Sequence, residues 1–167
     1  MPARKLSIKR VIFALLVVLP ILAVLYSFCK DAIINDLRLW ELTKQLDSLP
    51  QPPNTMRIST NSAVGLLQGN GNHCDFFAGA VYRSQSSADA ILQHYKGRQF
   101  QNPMSGENED WDITILKDKN SFASIWLPYD FDHSEVWGLT AESYSAATLY
   151  LVCAMRSYHA NDDFRCH

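Results

Sequence analysis

Val11–Phe28 reads VIFALLVVLPILAVLYSF, 18 residues without a charge, of which 13 are Leu, Ile, Val or Phe. As a helix rising ~1.5 Å per residue it spans roughly 27 Å against a hydrocarbon core of ~30 Å. At about −0.3 to −0.6 kcal/mol per strongly apolar residue, such a run favours insertion by about 5 kcal/mol. Pro20 removes one backbone donor, a loss that a membrane helix tolerates by local adjustment. Residues 11–29 are therefore expected to form a transmembrane helix.

The flanks orient it. Four of the chain's 15 basic residues, Arg4, Lys5, Lys9 and Arg10, precede the run, and none of its 17 acids do. The positive-inside rule then leaves residues 1–10 as a basic cytoplasmic tail and exports everything after the span, to the periplasm in a bacterium. The exported part carries a net charge of −6. The apolar core is longer than that of a cleavable signal, and Phe28 before Cys29 does not suit a lipoprotein cleavage site, so an uncleaved signal-anchor is expected.

Beyond the span, KDAIINDLRLWELTKQLDSLP holds no Gly or Pro until Pro50. Ala32, Asn35, Leu39, Leu42, Leu46 and Leu49 recur at spacings of three and four, the rhythm of a helix seam. Residues 30–49 read as a juxtamembrane helix whose stripe suits either docking on the domain or a weak homodimer through Leu39, Leu42, Leu46 and Leu49. Ile33, Leu37 and Trp40 form a second apolar line that also suits docking. Pro50, Pro52 and Pro53 make residues 50–56 a stiff linker.

Residues 57–167 read as one exported domain of α+β class, a small antiparallel sheet covered by one helix. GNGN at residues 69–72 is a turn that would close a hairpin between Ala63–Gln68 and His73–Ser84. SSADAILQHYKG predicts a helix capped by Ser86 and stopped at Gly97. Trp111–Asp118 and Phe122–Tyr129 alternate around DKNS as a second hairpin. Thr148–His159 alternates over its whole length, as a central or near-central strand would.

In an oxidising compartment thiols pair. Cys74 opens one long strand and Cys166 follows the last, so antiparallel neighbours would bring them together, with Cys153 as the alternative partner for either. Closing a loop of about 90 residues contributes up to roughly 4.5 kcal/mol in the chain-entropy model.

Weak chemical candidates remain. Asp130, Asp132, His133 and Glu135 offer metal-ligand atoms on one loop, without a calcium-loop or zinc-helix pattern. His73, Cys74, His159, Cys166 and His167 would suit zinc only if the sulfurs stayed unpaired. Asp132, His133 and Ser134 carry triad residue types but, as consecutive residues, cannot form a relay. No catalytic set, metal or cofactor is therefore expected. Trp126, Tyr129, Phe131 and Trp137 are candidates for an interaction surface.

The composition excludes a polybasic nucleic-acid binder and a disordered chain. What it favours is a single-pass envelope protein acting as a non-enzymatic interaction module, in one version an immunity or inhibitor protein that captures a basic partner. The alternative is a metal-dependent or hydrolytic enzyme using the Asp130–Glu135 loop. In a third reading the span itself works within a membrane complex.

Overall fold

A computed structural model of the chain describes residues 8–69, 71–122, 127, 131, 134–144, 147–159 and 163–167. The uncharged run and the stripe after it form one long helix, α1 (Ile8–Ser48), which continues through Pro20. It bends by 49° between Val11–Ser27 and Cys29–Ser48. The bend falls beside Ser27, whose hydroxyl donates to the carbonyl of Ala23, the back-bonding to the preceding turn that bends helices. Among the described residues no single helix is long and apolar enough to cross a membrane. Only the two limbs taken together reach the length and apolar composition of a candidate span.

The rest is an α+β fold. Its four-stranded antiparallel sheet has the order β1 (Thr55–Gly65), β2 (His73–Ser84), β6 (Thr148–His159), β5 (Asp112–Leu116). A separate two-stranded ribbon pairs β3 (Gln99–Gln101) with β4 (Asn108–Asp110). The hairpin over GNGN forms, with β1 longer than its sequence pattern suggests, because it pairs with β2 from Thr55↔Ser84 to Gly65↔Asp75. The last strand is central, as its two-sided alternation requires. Leu149, Leu151 and Cys153 enter one buried cluster, and Tyr150, Val152 and Ala154 enter the other.

On one face of the sheet lie two helices, not one. The second limb of α1 buries Leu42, Leu46 and Leu49 in the same core cluster as Ile91 and Tyr95 of α2 (Ala88–Tyr95). Small residues at Ala78 and Ala80 on β2 leave room for helices to approach the sheet. Of the two roles open to the Leu39–Leu49 stripe, docking is the one observed. Leu42, Leu46 and Leu49 are buried within the domain and Leu39 is half-buried.

The opposite face is closed by irregular segments, including short 3-10 turns at Ser134–Trp137 and Ala141–Tyr144. They bring Phe122, Leu127, Trp137 and Leu139 over Phe77, Val81 and Leu151. Gly79 is obligatory here. A Cβ on it would sit 2.8 Å from the Phe77 ring and 3.1 Å from both Trp137 and Cys153.

Two local expectations are corrected, and a third lies largely outside the described residues. The helix cap is Ser87, which accepts from the Ala90 N–H, rather than Ser86. β5 pairs with β6, and of the second arm expected beside it only Phe122 and Leu127 are described. Asp118 caps a 3-10 turn at Lys119–Ser121, within the DKNS segment; the rest of Phe122–Tyr129 lies outside the described residues.

The Pro-rich segment, finally, is packed rather than a free spacer. Pro52 is buried, and Pro50 O accepts from His94 Nε2 at 2.9 Å. Gln51 donates to Tyr82 Oη at 3.2 Å and accepts from the Tyr95 and Tyr150 hydroxyls. Burial raises the pKa of all three phenols, so they act as neutral hydrogen-bonding groups.

Candidate functional site

Cys74 and Cys166 form a disulfide, with Cα atoms 4.7 Å apart. The reason is topological. β2 starts beside the end of β6, with Cys74 opposite Tyr158, and a 3-10 turn at Phe164–Cys166 folds the tail back over that end. Gly65 lets the tail come close. Leu66 N–H donates to Arg165 O at 2.8 Å, and a Cβ on Gly65 would stand 3.2 Å from that oxygen.

Beside the bridge lies a buried polar cluster that joins the tail to α1. Asp163, wholly buried, accepts from Asn35 Nδ2 at 2.8 Å and from Arg165 Nη2 at 2.8 Å. Arg165 also donates to Asp36 Oδ1 at 2.6 Å and to Ala32 O at 2.9 Å. Burial by itself would raise the Asp163 pKa, but the hydrogen bonds from Arg165 and Asn35 outweigh it and hold the carboxyl at about 2. The Arg165 pKa is raised, chiefly by Asp163.

A second buried carboxylate, Asp75, organises the β1–β2 turn. It accepts from the Leu67 and Gln68 N–H groups, both at 3.0 Å, and from the Ser157 hydroxyl. His73 Nε2 lies 3.3 Å from it. Both buried carboxylates are thus occupied by structural donors. Among the described residues one group of metal-ligand atoms converges, Cys74, Asp163 and Cys166, and its two sulfurs are bonded to each other. Zinc has no thiolate to bind there.

The remaining candidates divide. Trp137, proposed as an interaction residue, is instead core. It is wholly buried, its Nε1 donates to Phe131 O at 2.9 Å, and it stacks on Phe122. Phe131 is half-buried and stacks on Phe77. Glu135 is exposed on the Ser134–Trp137 turn. Asp130, Asp132, His133, Trp126 and Tyr129 lie outside the described residues. Cys153 is free and buried, and burial pushes its thiol up to about 12, which makes it a poor nucleophile.

The surface feature that sequence reasoning missed is a pair of open clefts that meet at Trp111. One, of about 330 Å³, lies between α1 and β3 and is lined by Gln45, Ser48, Arg98 and Gln99. The other, of about 420 Å³, runs along α2 and β5 and is lined by Leu92, Gln93, Lys96, Asp110 and Ile113. Gln45 fixes the wall between α1 and β3. Its amide donates to Gln101 O at 2.8 Å and accepts from Gln101 N–H at 2.7 Å. Tyr95 and Trp111 supply an aromatic floor, and Lys96, Arg98 and Asp110 put charge at the edges.

No family model, curated protein or solved structure matches the chain. The fold and the site define a class: a small disulfide-bonded α+β domain grown onto the end of a long, apolar, bent helix.

Proposed function

We propose that the chain is a single-pass membrane-anchored interaction module, with its N-terminus in the cytoplasm and its α+β domain on the exported side. The observation that carries this reading is the shared helix. α1 leaves Val11–Ser27 exposed along its whole length, while its second limb is built into the domain core by Leu42, Leu46 and Leu49. A domain joined to its anchor in this way presents one surface at a fixed height above the bilayer. The disulfide supports an oxidising compartment.

A binding role fits the site better than catalysis. The buried carboxylates are held by donors, the buried thiol is protonated, and the open surface is an aromatic-floored groove. The net charge of −6 after the span favours a basic protein partner, as for an immunity or inhibitor protein that captures a toxin or enzyme.

The test is a photo-cross-linker in place of Gln93, in the groove, activated in native membranes. One adduct with a single protein is the expected result; no adduct under any growth condition would overturn the binding role. For the topology, protease added from the exported side should digest the domain and spare an N-terminal tag. A domain shielded from that protease would overturn the orientation.

A further inference from the structure

On a helical wheel of ~100° per residue the docked residues Asn35, Leu39, Leu42 and Leu46 fall on one side of α1 and Ile33, Leu37 and Trp40 fall roughly opposite. Exposure follows the same division. Leu42 and Leu46 are 2% and 0% exposed, whereas Ile33, Leu37 and Trp40 are 53%, 60% and 61% exposed. The stripe belongs to the same helix as the uncharged limb and begins a few residues past its end. Lys44 lies in line with it, its Nζ 5.0 Å from the centre of the Trp40 ring. An indole in line with a long cationic side chain is the composition of a helix at the membrane interface.

We propose that Ile33, Leu37 and Trp40 seat the second limb of α1 on the bilayer surface, so that the limb lies between lipid and domain. The inference rests on the anchor reading above and adds a second membrane contact to it. The 49° bend makes it geometrically reasonable. From Phe28 to Trp40 the helix rises about 18 Å along its axis. Left straight, with a membrane tilt of about 20°, it would lift Trp40 about 17 Å above the end of the span. With the bend added in the same plane the lift is about 6 Å, comparable to the headgroup layer of roughly 5–8 Å on each side. The stripe offers on the order of 300 Å², well short of the ~800 Å² per partner of a standard protein interface. That favours lipid over a second copy as the occupant.

The test uses the full chain reconstituted in phosphatidylcholine vesicles whose acyl chains are brominated near the headgroup or near the chain end. Tryptophan quenching is compared between wild type and Trp40→Phe, a substitution at an exposed position. The shallow bromines are expected to quench wild type at least twofold more than the variant, and the deep bromines to quench less than the shallow ones. Equal quenching of the two proteins, with the chain still resistant to carbonate extraction, overturns the seating and leaves the anchor standing. Cross-linking between copies at Leu37, with Trp40 unquenched, overturns it in favour of a dimer face. Extraction by carbonate overturns the anchor, and the seating falls with it.

Discussion

Asn35, in the second limb of the long helix, donates a 2.8 Å hydrogen bond to the buried carboxylate of Asp163, 128 positions further along the chain. With Arg165 bonded to Asp163, Asp36 and the carbonyl of Ala32, this contact fastens the C-terminal tail to the helix. The disulfide at Cys166 fastens the same tail to β2. Helix, tail and sheet meet at one junction, at the end of the domain that faces the apolar limb.

Asn35→Ala removes one donor from a buried carboxylate and is expected to destabilise the domain by about 1–3 kcal/mol. Urea unfolding of the full chain in detergent micelles measures it. A change smaller than about 0.5 kcal/mol would mean that the junction contributes nothing to stability.

The same junction predicts an acid dependence. Asp163 has a folded pKa of about 2 against an ordinary value of 3.8. Its stabilising effect is complete above about pH 4 and is lost as pH falls through about 2. Stability measured across that window should fall less steeply in Asp163→Asn than in wild type. Identical slopes would contradict the assignment.

Reduction of the Cys74–Cys166 bridge, or Cys74→Ser with Cys166→Ser, is expected to destabilise by about 2–5 kcal/mol, since the bridge closes a long loop in the unfolded chain. Peptide mapping without reductant should find the two cysteines joined. Finding both free in exported protein would refute the pairing.

Cys153 should resist alkylating reagents in the native protein. Buried and with its pKa raised to about 12, it should label only after unfolding. Mass spectrometry of the labelled peptide reads it. Rapid native labelling of Cys153 would contradict its burial.

Leu46→Ala is expected to cost about 2–5 kcal/mol, as for other wholly buried leucines, and to do so independently of protein concentration. Leu37→Ala, at a position 60% exposed, should stay within about 0.5 kcal/mol. A Leu46→Ala effect that disappears on dilution would mean that the stripe pairs two chains after all.

Much of the fold is legible in the sequence where periodicity is long. TLYLVCAMRSYH alternates through its whole length and forms the strand it implies. The pairing of Cys74 with Cys166 follows from placing the start of one strand beside the end of another. Short segments say less. Trp111–Asp118 holds a strand, β5, but its pairing with β6, far away in the sequence, is not readable from local alternation. Asn35 is the informative oversight, because a polar residue inside a leucine stripe signals a buried partner, and only the three-dimensional fold identifies that partner as Asp163. The Trp111 groove had no sequence signal, since it is made by residues from α1, α2, β3 and β5 whose proximity depends on the tertiary packing.

The central claim is that one helix serves both as the apolar anchor and as part of the domain core. Hydrogen exchange on the full chain in lipid bilayers tests it most directly. The account predicts that amides of Leu42–Leu49 exchange only with global unfolding, at the same rate as those of Tyr150–Ala154 in β6. Fast exchange across Leu42–Leu49, while β6 stays protected, would show a stalk independent of the domain and contradict it.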